Sequence, residues 1–286
     1  MSKKRSKSCN DTLNSTQLSV FLLRHQFKLI SWCVASGFFV VMALSPAIAG
    51  TDRTNSIRMQ TPAGKSAPLP ASPRKDDAES RVVFQGVSLA EWTQRFWNRF
   101  MSIPFNVSPA TDKTGINCGI NQSGPVWFLG APLGGPYTLS CTIPAGKVIL
   151  APAITTLESY PCPEPPSFEP APNQTLEDFL TQEVTPFTDS FSTAMELDGK
   201  PIKLRRVTAG LQSFTGAKDL APDFDPCVTG SPQLGVADGK YAVIGPLSPG
   251  LHILHIQSNS PQSNGSNETT FNLTIQGGRK DSFVNE

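Results

Sequence analysis

The sequence predicts an all-β, mainly antiparallel fold: a β-sandwich with Greek-key-like connections, one or two packed helices and two disulfides. Three observations carry this expectation. Residues 112–152 alternate apolar and β-branched runs with the turn signals Gly124-Pro125, Gly134-Gly135-Pro136 and Pro144-Ala145-Gly146. Near the C-terminus, Phe271, Leu273 and Ile275 alternate with polar residues, as in a strand buried on one face. Beyond the N-terminal leader stand four cysteines, Cys118, Cys141, Cys162 and Cys227, and an even number in an exported chain implies disulfides.

The leader explains why export is expected. Residues 1–28 carry six basic side chains against one acid, Asp11. An uncharged apolar run from Leu29 to Leu44 follows, then Pro46 and the small-residue site Ala47-Ile48-Ala49. This is the build of a secretory signal over residues 1–49. The apolar run is also about long enough to act as a membrane anchor, but Pro46 and the Ala-x-Ala site argue for cleavage, leaving no membrane span. Of the chain's 24 basic and 23 acidic residues, 18 and 22 then remain, a net charge of −4. A mildly acidic chain without basic runs argues against nucleic acid and against anionic membrane surfaces.

In chain order, residues 50–80 are polar and poor in large apolar groups, which predicts a disordered tether. One folded domain is expected over 81–277, with a disordered tail at 278–286. Val82–Phe84 reads as a short strand. Ser88-Leu89-Ala90-Glu91 is a capping box, with the serine hydroxyl receiving the Glu91 amide and Glu91 reaching back to the Ser88 amide. Leu89, Trp92, Phe96, Trp97 and Phe100 follow at helical spacing, an apolar stripe expected to pack on a sheet until Ile103-Pro104 stops the helix. Strands are expected at about 125–129, 137–143 and 147–152. The proline-rich segment from Glu158 to Asn173 predicts an irregular loop. Thr175 opens a second capped helix, expected to end near Pro186. Asp198-Gly199 signals a hairpin between 192–197 and 201–206. Strands at 240–246, 251–257 and 270–275 close the domain. Pairing of the cysteines in sequential order is expected, because Cys118 and Cys141 lie in one compact run of strands; each bridge would contribute about 3–4 kcal/mol.

Signals for chemistry are sparse. No Cys-x-x-Cys pair and no Gly-x-Ser-x-Gly elbow occurs beyond the leader. His252 and His255 fall in a strand, where i and i+3 point to opposite faces and cannot share a metal. Asp112, Glu158, Asp223 and Asp225 fall in predicted loops. Asp112 is the first candidate for a catalytic carboxylate, and Asp223 with Asp225, two residues apart, is a weak Ca²⁺ motif that lacks the full EF-hand spacing.

Three blocks carry a resemblance: Asp112-x-x-Gly115-x-Asn117-Cys118, Gln122-Ser123-Gly124-Pro125-Val126-Trp127-Phe128-Leu129, and Cys141-x-Ile143-Pro144-x-Gly146-Lys147. Together with the Trp-containing helix and the pattern Asp238-Gly239-x-Tyr241 … Pro246-Leu247-x-Pro249-Gly250-x-His252, they resemble a family of bacterial exported proteins with no assigned activity. The resemblance implies export and a single domain, and brings no catalytic residues with it. The expected function is therefore an exported, non-catalytic extracytoplasmic binding or structural module. Its partner would be a glycan, a surface polymer or a protein, met through the loops 112–122 and 158–169. The alternative is a secreted hydrolase that uses loop carboxylates, and it requires Asp112 near a second acid with a raised pKa.

Overall fold

The computed structural model describes residues 82–163, 168–261 and 265–277; the leader, the tether and the tail lie outside the described residues. Two sheets pack face to face and a helix covers the back of one of them. The elements are β1 (Val83–Phe84), β2 (Val87–Ser88), α1 (Leu89–Met101), β3 (Val126–Phe128), β4 (Tyr137–Pro144), β5 (Val148–Tyr160), α2 (Leu176–Asp189), β6 (Ser192–Leu197), β7 (Lys200–Pro201), β8 (Arg205–Thr215), α3 (Leu220–Asp223), β9 (Pro232–Ile244), β10 (Gly250–Ser260) and β11 (Gly265–Gln276). A single 3₁₀ turn, Phe105–Val107, follows α1.

One sheet runs β4-β11-β10-β6-β7 and the other β3-β5-β9-β8, so the chain crosses between sheets at most of its connections. Most pairs are antiparallel, but β4 lies parallel to β11 and β3 parallel to β5. The sandwich core lies between the sheets, where Leu139, Ile143, Ile149, Ala151, Ala242, Leu254, Phe271 and Leu273 interdigitate. A second layer sits behind the four-stranded sheet. There the α1 stripe of Leu89, Trp92, Phe96, Trp97 and Phe100 packs on Phe128, Leu150, Val207 and Tyr241. A third, smaller cluster of Phe168, Phe179, Leu180, Val184 and Val236 lies under α2, beside the Cys162–Cys227 disulfide. Cys118 pairs with Cys141, so both bridges follow sequential order.

Both capped helices form where the sequence places them. Ser88 Oγ accepts the Glu91 amide at 3.2 Å, and Thr175 Oγ1 accepts that of Asp178 at 3.1 Å. Glu91 does not reach back to Ser88; its carboxylate turns outward to Arg95, 2.7 Å away and one turn on. Helix α2 continues through Pro186 to Asp189, and Ser190 closes it by donating its amide to the carbonyls of Pro186 and Phe187.

Several strand boundaries differ from the sequence reading. β5 extends to Tyr160, which moves Glu158 from a predicted loop into a strand, and β9 starts at Pro232 rather than near Lys240. Both strands are covered on both faces, by the other sheet or α2 on one side and by α1 on the other. Their side chains therefore lack the alternation that marks a half-buried strand. The Asp198-Gly199 turn forms, but β7 is only two residues long. Ile202 and Leu204 turn into the sandwich core, and the chain leaves to become β8 in the opposite sheet.

Candidate functional site

Strand β3 ends at Phe128, and its last ladder contact is the Leu129 amide donating to the Leu150 carbonyl at 3.0 Å. Beyond Leu150, β5 runs on with no strand on that side among the described residues, and its pairing with β9 is broken by an irregularity between Pro152 and Ile154. A cleft of about 870 Å³ opens along this edge. It passes from the α1 layer (Phe96, Trp97, Phe100) around Pro152–Thr155 to the open end of the sandwich core (Ile256, Thr269, Phe271). Its outer walls are the segments 105–113, 129–137 and 221–226. Gly130 packs closely there: a Cβ on it would stand 3.1 Å from both the Phe100 ring and Pro109. The volume lies in the range of sites for small molecules, and the lining is mainly apolar.

Several of the polar groups inside are already engaged, while the Thr269 hydroxyl and the Asn267 amide nitrogen make no hydrogen bond among the described residues. The Thr155 hydroxyl bonds to Trp97 Nε1 at 3.1 Å, to the Asp238 carbonyl at 3.1 Å and to the Tyr241 hydroxyl. Thr111 donates to the carbonyls of Phe105 and Ser108. Asn267 Oδ1 accepts the Gly134 amide at 2.5 Å. Burial holds the Tyr241 hydroxyl far above its ordinary pKa, so it stays protonated.

Asp112 does not line this cleft. Its Oδ1 accepts the amides of Thr114 and Gly115 and the Thr114 hydroxyl, and its Oδ2 accepts the Asn117 amide, all at 2.7–2.9 Å. Burial alone would raise its pKa, but these donors outweigh it and hold the carboxyl below its usual value. Asp112 thus organises a tight loop, and it lies outside the cleft that the hydrolase reading expects around it. That loop is clamped from several sides. Thr114 accepts the Ser140 amide, a Cβ on Gly115 would fall 2.4 Å from the Ser140 carbonyl oxygen, and Cys118 is bridged to Cys141. The Gln122 side chain bonds to both the amide and the carbonyl of Phe128, standing in for a strand neighbour. From α1, Arg99 donates twice to the Ile120 carbonyl, and burial lowers its pKa to about 10. The residues that carry the sequence resemblance thus have positions in the scaffold.

Asp225 is buried and accepts the Cys227 amide at 3.0 Å, while Asp223 is exposed and lines the cleft. No group of three His, Cys, Asp or Glu side chains able to hold a metal occurs among the described residues.

One constellation was not anticipated. His252 Nδ1 lies 2.7 Å from Asp198 Oδ2, and His252 Nε2 lies 3.0 Å from the Ser248 carbonyl and 3.3 Å from the Ser248 hydroxyl. Ser, His and Asp in this order suggest a catalytic triad, but a general base needs a free lone pair on Nε2. Here both ring nitrogens face acceptors, which is the arrangement that suits the imidazolium. The Asp198 hydrogen bond, helped by the Ser248 carbonyl and opposed by burial, raises the His252 pKa. The group acts as a latch between the β6–β7 turn and the β9–β10 loop. His255 faces the other way, 3.1 Å from Glu268, as the strand period requires.

Because the folded His252 pKa is raised, its stabilising contribution is complete below about pH 6.5 and is lost as the pH rises through the folded value. The Asp198 pKa is lowered, first by the His252 hydrogen bond, so its contribution is lost only as the pH falls below about 3.8. Thermal unfolding of wild type and His252→Gln across pH should therefore show the largest gap below about pH 6.5, closing as the pH rises through the folded His252 value. A gap independent of pH would reject the latch.

No family model matches the chain, and no curated protein matches it. Among solved structures, the chain is similar to one described as PbICP-C in complex with falcipain-2, at 10% identity over 54% of this chain and all of that one. The TM-score of 0.22 is too low to bear on fold or function.

Proposed function

We propose that the chain is an exported, non-catalytic extracytoplasmic binding module whose cleft beside β5 takes a ligand with an apolar body. The observation that carries this reading is the cleft itself: about 870 Å³, walled mainly by aromatic and aliphatic side chains, with the hydroxyls of Thr111 and Thr155 already hydrogen-bonded. A glycan would need more free hydrogen-bonding groups than this mainly apolar lining offers. A peptide added as a strand would need the β5 edge, where Val148 and Leu150 bond toward β3 and the next residue with that orientation is Pro152. Proline has no N–H to offer there. Two disulfides support an oxidising compartment, in keeping with the leader. Engagement of Asp112 and Asp225 within their own turns supports a non-catalytic role.

The test is binding of a neutral naphthylamine fluorophore to the domain, compared with Ala131→Trp and Leu133→Glu. Both residues line the cleft, and Leu133 is exposed, so its change should spare the fold. Fluorophore affinity is expected to fall at least about tenfold in both variants, equivalent to about 1.4 kcal/mol, with the Leu133→Glu melting temperature near wild type. Unchanged affinity in both variants would overturn the cleft as the site.

A further inference from the structure

The cleft has an uncharged interior, but its rim carries two charges of opposite sign. Lys113 follows the 3₁₀ turn after α1, and Asp223 is the last residue of α3; both are exposed and both line the opening. Among the described residues neither makes a hydrogen bond or an ion pair. The Lys113 ammonium lies 5.9 Å from the centre of the Tyr137 ring, itself part of the wall. These two opposite charges at the mouth of an apolar site can be met by a complementary pair of charges on whatever enters.

We propose that the occupant is a monomeric single-chain amphiphile with a zwitterionic head, its hydrocarbon tail in the cleft and its head at the rim, anion toward Lys113 and cation toward Asp223. This rests on the apolar-ligand reading above and adds the chemistry of the head. The lining is mainly apolar, and the hydroxyls of Thr111 and Thr155 are committed to protein partners, so most polar groups carried deep inside would lose their water without gaining a bond. The part of the ligand that enters is therefore mainly hydrocarbon. The volume is that of a site for one small molecule. A head of a single sign would be attracted by one rim residue and repelled by the other, whereas a zwitterion meets an opposite charge at each.

The experiment displaces the neutral fluorophore with amphiphiles of one chain length, each below its micelle concentration. Their heads are phosphocholine, sulfate, trimethylammonium and a neutral sugar. Wild type is expected to bind the phosphocholine compound about threefold more tightly than either singly charged one, the size of a solvent-exposed charge contact. Lys113→Gln should shift the preference toward the trimethylammonium compound, and Asp223→Asn toward the sulfate, while the neutral compound keeps its affinity in both variants. Equal displacement by all four heads, or an order unchanged by the two substitutions, would overturn the zwitterion assignment and leave the apolar cleft standing. Failure of the fluorophore itself to bind would instead remove the cleft reading. Phosphatidylcholine vesicles are the last arm. If the domain bound them as tightly as the monomeric compound, the rim would be reading a lipid surface, and the single-molecule occupant would be overturned.

Discussion

Replacing Arg206 with methionine is expected to destabilise the domain by about 3–5 kcal/mol at neutral pH, the cost of leaving a buried charge without its partner. Asp238, on β9, has no exposed surface. Arg206 meets it from β8 through Nε at 2.9 Å and Nη2 at 2.5 Å, and reaches Asp189 at the end of α2 through Nη1 at 2.7 Å. Thr208 adds a hydroxyl at 2.8 Å to the same Asp238 oxygen. Even so, burial outweighs the opposing pull of Arg206, Thr188 and Thr208, and the Asp238 pKa lies above its ordinary value.

The sign of the pH effect follows. A carboxyl with a raised folded pKa favours the fold when protonated, and that advantage is lost as the pH rises through the folded value. Removing Arg206 should raise the Asp238 pKa further, so the deficit of the variant should be largest at pH 7 and shrink toward pH 5. Urea unfolding at both pH values measures it. A deficit equal at both would mean that lost packing, and not an uncompensated carboxylate, is responsible. The double variant Arg206→Met, Asp238→Leu should recover most of the loss, because a buried ion pair exchanged for apolar side chains of similar volume is often neutral.

The second large effect is expected at Phe96. Its ring lies 5.7 Å from those of Trp97 and Phe100, 6.1 Å from Phe128 and 6.2 Å from Tyr241, at the centre of the layer that joins α1 to the four-stranded sheet. Phe96→Ala should cost about 3–5 kcal/mol, made up of lost transfer energy and the cavity left behind. Phe96→Leu should cost much less, because it keeps most of the volume. Phe96 also forms part of the cleft wall, so the alanine variant should regain more stability than wild type from saturating fluorophore if the enlarged site binds it more tightly. A loss under about 1 kcal/mol would mean that the stripe is not core but a surface awaiting a ligand.

The features legible in the sequence are those set by nearby residues. Ser88 and Thr175 cap helices because a hydroxyl three residues before an amide is a local geometry. Phe271, Leu273 and Ile275 are buried together because a strand alternates its faces. The Cys118–Cys141 bridge closes a span of only 23 residues, from the loop before β3 to β4. Asp112 was visible as a special residue, but its role was not: a carboxylate that receives four donors and one set for catalysis read alike in a sequence.

The candidate site was not legible, for a physical reason. Its walls come from α1, three separate loops, the irregular middle of β5 and the ends of β10 and β11, and no spacing within any one of these announces the others. The latch joins Asp198 to His252, 54 residues on, and the buried pair joins Arg206 to Asp238 across two strands. By itself the sequence determined the β-rich class, the two capped helices and the alternating last strand, since each follows from local stereochemistry. The sequential disulfide order was one of three possible pairings, and the 65-residue span from Cys162 to Cys227 is closed by the tertiary structure. Only the tertiary structure decided which strands are buried on both faces, which carboxylates are consumed by the scaffold, and where the early end of β3 leaves an apolar edge uncovered. Those outcomes depend on how distant segments share one interior, and that sharing is a property of packing.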